Sequence, residues 1–192
     1  ICMEPTSYMW AQQGVRLWYE KAMANGPLRN HVFLDDQTMN QRAAMFGSKT
    51  RQVDTIDLSA ASDSVPWALV KRVFPPGILK HLQGTRTKIV ELPTGEHHVS
   101  QKFAPMGSAL CFPVQSTIYS AIVILCGIAQ RFGVDWKEPG ILDGLDIAEL
   151  IQKTFRRDII QARTTRDHRY HPFYVFGDDI VCDSYITSNV ID

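Results

Sequence analysis

The chain has 192 residues, of which 45% are hydrophobic and 10% aromatic, enough to bury one substantial core and too much for an intrinsically disordered segment. Its 20 basic and 20 acidic residues cancel, so the overall charge announces no polyanionic partner and any nucleic-acid role has to come from local features. Four cysteines, Cys2, Cys111, Cys126 and Cys182, stand far apart with no CxxC pair, which fits reduced, buried thiols in a cytosol better than a disulfide frame or a zinc site.

Ile1 to Pro5 reads as an extended piece, after which Ser7 caps a helix running to about Ala24 and ended by Asn25-Gly26. Tyr8, Ala11, Val15, Trp18 and Ala22 recur at helical spacing and are expected to form its buried stripe. A second helix is expected after Asp36, through Met39 to Met45, stopping at Gly47. The alternating, β-branched run Val53 to Leu58 predicts a strand. Ser64 and Pro66 mark the start of a helix from Trp67 to Phe74, broken by Pro75-Pro76-Gly77. A hairpin follows, Lys88 to Leu92 and His97 to Gln101 around Pro93-Thr94-Gly95.

Gly107 then opens a long helix, about Ser108 to Arg131, with Pro113 in its first turns, where proline costs least. The apolar run within it, Ile118 to Ile128, is interrupted by Ser120 and Gly127 and is too short to span a bilayer, so a soluble protein is expected. Gly133 to Pro172 reads as an insertion holding one helix, Ile147 to Phe155, and a charged tract, Arg156 to His171. Phe173 to Phe176 and Ile180 to Cys182 are two apolar arms around Gly177-Asp178-Asp179, a hairpin with two carboxylates at its tip. Thr187 to Asp192 reads as the first turn of a helix capped by Ser188; with Ile1 in place of Met at the other end, both ends look cut. The order of elements predicts one α+β unit over residues 1 to 192, an antiparallel sheet covered by helices on one face.

Adjacent carboxylates at a tight turn between buried arms repel each other unless a cation neutralises them, and magnesium, a hard ion that takes oxygen ligands, suits them. A second acidic group lies at Asp54, Asp57 and Asp63, along one strand and its exit loop. Asp54 is expected to be a plain solvent-facing strand residue. If that strand lies beside the hairpin, Asp57 meets Asp178 and Asp179 over a pair of metals about 4 Å apart, the arrangement nucleotidyl transfer needs. Pro105-Met106-Gly107-Ser108 before the long helix is expected to expose backbone N–H groups suited to phosphate or ribose, as well as to cap the helix.

Asp54-Thr55-Ile56-Asp57-Leu58-Ser59-Ala60-Ala61-Ser62-Asp63-Ser64 resembles motif A of the replicases of the single-stranded RNA bacteriophages, the levivirus-like RNA-directed RNA polymerases, nearly letter for letter. Pro105 to Ser108 with its helix resembles motif B, and Phe176 to Asp179 resembles motif C. Ile1 to Pro5 is similar to the tail of motif F, and Asp35 to Arg42 to the segment these replicases carry ahead of motif A. The resemblance implies a polymerase palm with part of the fingers, located in the cytoplasm of a bacterial host, and two Mg²⁺ ions, for which Mn²⁺ can substitute. Asp57 and Asp178 are implied as principal ligands and Asp179 as a supporting one. Asp63 is implied to sense the ribose 2′-hydroxyl, and Gly107 with Ser108 to form a flexible loop near template and nucleotide. Where many relatives of the wider class carry Thr and Asn in the motif B helix, this chain has Cys111 and Gln115, which puts Gln115 at the place of the usual partner of Asp63.

The implied partners are an RNA template, the product strand, NTPs and host translation factors, the last with no residue assignable to them. The basic part of motif F and the motif D lysine fall outside the sequence, so the fragment alone is expected to be inactive. Two rivals stay in view: a reverse transcriptase, which would carry two variable residues before the paired aspartates and a bulky aromatic near Asp63, where Ser64 and Val65 stand; and a palm that binds RNA or metal without turnover. A doubly wound domain with clustered aspartates is disfavoured by the two hairpins.

Overall fold

The computed structural model describes residues 2–133, 149, 153, 154 and 173–191. Apart from Glu149, Lys153 and Thr154, the expected helix Ile147 to Phe155 and the tract Arg156 to His171 lie outside the described residues. The chain divides into two compact units, one built from Ile1–Ala22 and Leu58–Ile118, the other from Met23–Asp57 and Tyr119–Asp192. Two helices contribute to both: α1 (Thr6–Asn25) and α6 (Cys111–Phe132).

The second unit is organised by a three-stranded antiparallel sheet, with β5 (Asp179–Asp183) between β1 (Val53–Asp57) and β4 (Phe173–Phe176). Against the central strand, Val53 pairs with Asp183 and Asp57 with Asp179; on the other side Phe173 pairs with Cys182 and Phe176 with Asp179. The two-residue turn Gly177-Asp178 joins β4 to β5 with a positive φ of 65° at Gly177 alone, the left-handed first position that glycine fills without strain. Helix α2 (Thr38–Thr50) lies on this sheet, and Ala43, Tyr174 and Val181 form its core with Phe33, Met39 and Val53. The helix runs through Gly47, where a stop was expected, and ends at Arg51 in the left-handed region. Gly47 serves packing instead: a Cβ there would stand 2.4 Å from the Val53 carbonyl oxygen, so only glycine lets helix and strand approach this closely.

Consecutive residues are buried along β4 (Phe173, Tyr174, Val175) and β5 (Ile180, Val181, Cys182), so both faces of the sheet are covered, not one as expected. Such unbroken apolar runs are the mark of strands buried on two sides. The outer edge of β4 is covered as well. Val175 donates its N–H to the His31 carbonyl at 2.9 Å, Val32 bridges Val175, and the His31 ring stacks on Phe173 at 4.2 Å. Helix α7 (Thr187–Ile191) follows β5 after the turn at residues 184–186.

In the first unit, α1 buries Gln12 and Tyr19, while Tyr8 and Trp18 of the expected stripe are 43% and 51% exposed. Tyr19 packs on Phe74 and meets the Thr117 hydroxyl at 2.6 Å. Two short helices, α3 (Ala61–Ser64) and α4 (Trp67–Val73), precede α5 (Pro76–Thr85). Pro76, read as a breaker, occupies the first turn of α5, where a missing N–H costs nothing. The hairpin β2 (Ile89–Glu91) and β3 (His97–Val99) is shorter than expected, closed by Leu92 N–H to Glu96 O at 2.8 Å around Gly95. Its return is pinned by Arg86. That buried guanidinium donates to the carbonyls of Ser100, Lys102 and Phe103 and lies 5.1 Å over the Trp67 ring. Helix α6 is 22 residues long, and by length and composition alone it could cross a membrane; 72% of its most apolar window is buried inside the protein, as in a core helix.

Candidate active site

The β1–β5 register sets the geometry. Residues directly opposite across an antiparallel pair point to the same face with Cβ atoms about 4.5–5.5 Å apart, so the pairing of Asp57 with Asp179 brings two carboxylates from strands far apart in sequence to one corner of the sheet. Asp178 precedes Asp179 in the turn. Both hairpin aspartates are half-buried and Asp57 is exposed. Burial, then the Asp178 charge, then the Asp57 charge push the Asp179 carboxyl above the usual carboxylate range, and a hydrogen bond from Gln37 opposes them. Among the described residues no group of three His, Cys, Asp or Glu side chains is gathered closely enough to hold an ion.

Gln37, just before α2, and Asn40, within it, were not singled out as functional in the sequence and hold this corner. Gln37 Nε2 donates to Asp179 Oδ2 at 2.5 Å, and Asn40 Nδ2 donates to the Asp179 backbone carbonyl at 3.1 Å. Both lie in the Asp35 to Arg42 segment. The third acidic residue of the strand, Asp54, departs from the solvent-facing role expected: it is half-buried and accepts a hydrogen bond from the Thr187 hydroxyl at 2.7 Å. Thr187 thereby ties α7 to β1. Beside it Cys182 is buried, and that burial pushes its thiol up to about 12.

The remaining candidates belong to the first unit. Asp63 is exposed in α3, the short helix that follows Ala60, whose φ of 53° is left-handed for a residue with a Cβ; the Asp63 N–H returns to the Ala60 carbonyl at 3.0 Å. Gln115 is 5% exposed and takes the Cys111 thiol hydrogen at 3.8 Å, a core position. The Gly107-Ser108 turn differs from the expectation of free N–H groups. The amides of Ser108, Ala109, Leu110 and Cys111 bond to Pro105 O, Gln12 Oε1, Ser108 Oγ and Ser108 O respectively.

Comparison with known proteins bears on the same residues. Residues 1–131 match the family described as RNA replicase, beta-chain, a span that holds β1 and the Gly107-Ser108 turn and ends before the Gly-Asp-Asp hairpin. The chain is 35% identical over 127 residues to the RNA-directed RNA polymerase subunit beta of Escherichia virus Qbeta, covering 64% of this chain and 20% of that protein. It is 36% identical over 124 residues to the RNA-directed RNA polymerase beta chain of Escherichia phage MS2, covering 64% and 22%. The beta chain of Enterobacteria phage GA is 29% identical over 192 positions, covering 90% of this chain and 35% of that protein. The chain thus spans about a fifth to a third of the length of the curated relatives it matches. With the family match extending over more than half of its residues, the chain belongs to the RNA replicase beta-chain family of the RNA bacteriophages.

Proposed function

We propose that this chain is the palm, with part of the fingers, of an RNA-directed RNA polymerase that copies a phage genome in the cytoplasm of its bacterial host. The observation that carries the reading is the register of β1 on β5, which sets Asp57 opposite Asp179 with Asp178 in the adjoining turn. The donor set is all oxygen and all anionic; burial first, and then the Asp178 and Asp57 charges, raise the Asp179 carboxyl, so a cation here would be met by clustered negative charge. That chemistry fits Mg²⁺, with Mn²⁺ as a substitute. Asp57 and Asp178 would be the principal ligands and Asp179 a supporting one. Bound divalent ions supply activation of an attacking 3′-hydroxyl and charge neutralisation at the NTP phosphates.

The chain's own residues then have separable tasks. Asp57 and Asp178 hold negative charge where the cations bind. Gln37 and Asn40 fix the side chain and backbone of Asp179, so that its carboxylate keeps one orientation. Asp63 would read the ribose 2′-hydroxyl, and the Gly107-Ser108 turn would contact template and incoming nucleotide. Gln115, buried in α6, would reach the nucleotide site only indirectly, by packing. RNA template, product strand and NTPs are the partners of this reading, and host translation factors are added by kinship alone.

The test is RNA copying with Mg²⁺ and NTPs by the chain completed to the length of its relatives, beside its Asp178→Asn variant. Incorporation by the parent alone is expected. Equal incorporation by both would remove Asp178 from the metal site, and silence from both, in folded protein, would favour a palm without turnover. In the same assay Asp63→Ala is expected to keep activity and reject dNTPs less well; unchanged sugar selectivity would refute the ribose role.

A further inference from the structure

Gln12 sits in the middle of α1 with no solvent exposure, and its amide makes every hydrogen bond it can make. Its Nε2 donates to Glu4 Oε2 at 3.2 Å and to the Thr85 carbonyl at 2.9 Å. Its Oε1 accepts from the Ser108 hydroxyl at 3.1 Å and from the Ala109 N–H at 3.0 Å. A buried amide with two donors and two acceptor sites filled has one orientation, because a flip would set its oxygen against the Glu4 and Thr85 oxygens and its NH₂ against the Ala109 N–H. Glu4 fixes that orientation from behind, and its Oε2 also accepts the Thr87 hydroxyl.

The same turn is clamped by backbone. Cys2 donates its N–H to the Met106 carbonyl at 2.8 Å, and its own carbonyl oxygen closes over Gly107, where a Cβ would stand 2.2 Å from it. Gly107 has φ 126°, a conformation open to glycine alone. Cys2 and Gln12 therefore hold the turn directly, while Glu4 and Thr85 hold Gln12 and Thr87 holds Glu4.

We propose that Gln12, oriented by Glu4, is a positioning residue that holds the Gly107-Ser108-Ala109 turn in the shape that receives the incoming nucleotide. A helix-buried glutamine is a poor choice for packing alone. An aliphatic side chain of the same size would fill the space without needing four partners, so the amide is there for what it binds. The assignment rests on the polymerase reading, since it takes the turn as a nucleotide contact, and its two readouts separate the two.

The experiment uses the chain completed to the length of its relatives, comparing parent, Gln12→Leu and Glu4→Ala. Hydrogen exchange without substrates is expected to quicken in Gln12→Leu at residues 105–110 and to stay unchanged in α4 and the β2–β3 hairpin. In RNA copying, the KM for NTP is expected to rise about tenfold, equivalent to ~1.4 kcal/mol, with kcat much less affected. Glu4→Ala, which acts through Gln12, is expected to shift both readouts in the same direction by less, and it carries the test if Gln12→Leu does not fold. Unchanged exchange at 105–110, exchange quickened throughout the unit, or local quickening with an unchanged KM would each overturn the proposal. If the parent copies no RNA, the polymerase reading falls, and exchange alone then decides whether Gln12 holds the turn.

Discussion

The Asp57–Asp179 corner and the Gly107-Ser108 turn are built on opposite principles. In the turn, the four successive amides from Ser108 to Cys111 are bonded within the chain, and the glutamine that holds it has its hydrogen-bonding capacity filled. The carboxylate corner keeps like charges together with one amide donor from Gln37 against them. A satisfied network gains stability from each of its members, whereas a corner of repelling charges is held in place by the rest of the fold at a cost. Substitutions should therefore lower stability in the first and lower function while sparing stability in the second.

The largest effect is expected at Asp57. In the completed enzyme, Asp57→Asn should reduce nucleotide incorporation by at least about 10²–10³-fold, the scale of losing one group that stabilises charge in a transition state, while circular dichroism stays that of the parent. Loss of the folded signal would mean that Asp57 is structural, and the contrast between the two regions would fail. Next in size is Gly107→Ala. Forcing a Cβ against the Cys2 carbonyl at a φ of 126° combines backbone strain with overpacking, each worth roughly 1–3 kcal/mol. The midpoint of thermal unfolding should fall by several degrees, and an unchanged midpoint would show that the turn is not held as described.

The carboxylate corner also has a pH signature. The Asp179 carboxyl is raised in the folded protein, so the folded state binds the proton more tightly than the unfolded state does. Its contribution is then fully favourable below the unfolded carboxylate value and is lost as pH rises through the folded one. Without divalent ions, Asp179→Asn should be more stable than the parent at neutral pH, and the difference should vanish on acidification below the usual carboxylate range. Mg²⁺ should raise the unfolding midpoint of the parent and raise that of the variant, which keeps Asp57 and Asp178, by less. A variant that is less stable than the parent at neutral pH would contradict the charge account.

Much of the geometry of the candidate site was legible because its signals are local. Asp57 at a strand end and Gly177-Asp178-Asp179 between apolar arms are short patterns, and the alternation of Val53 to Asp57 sufficed to place a strand there. Gln12 and Gln37 were not legible, since an amide's partner can lie anywhere: Thr85 and Ala109 are 73 and 97 positions from Gln12, and Asp179 is 142 from Gln37. Periodicity found α1 but assigned its buried face to Tyr8 and Trp18. Gln12 and Tyr19 lie one helical step around, and a stripe of mixed polarity offers two faces of similar hydrophobicity. Gly47 and Pro76 misled for a related reason, because each residue type can end a helix or permit one, and only the neighbouring strand or the first-turn position decides.

The smallest expected effect tests the satisfied side again, at Tyr19. The Thr117 hydroxyl gives its single proton to the Pro113 carbonyl at 3.0 Å, so in the 2.6 Å contact the Tyr19 hydroxyl is the donor. Tyr19→Phe removes this hydrogen bond and should cost about 0.5–1.5 kcal/mol at neutral pH. Burial pushes the Tyr19 hydroxyl up to about 12, above its ordinary value of 10.0. The contribution of this tyrosine is therefore present below pH 10 and is lost as pH rises from 10 toward 12, because the unfolded chain ionises first. Phenylalanine has no such proton, so the deficit of the variant should shrink across that interval in chemical unfolding at several pH values. A gap that holds constant to pH 12 would mean that the hydroxyl reaches water, and that α1 is tied to α6 by packing alone.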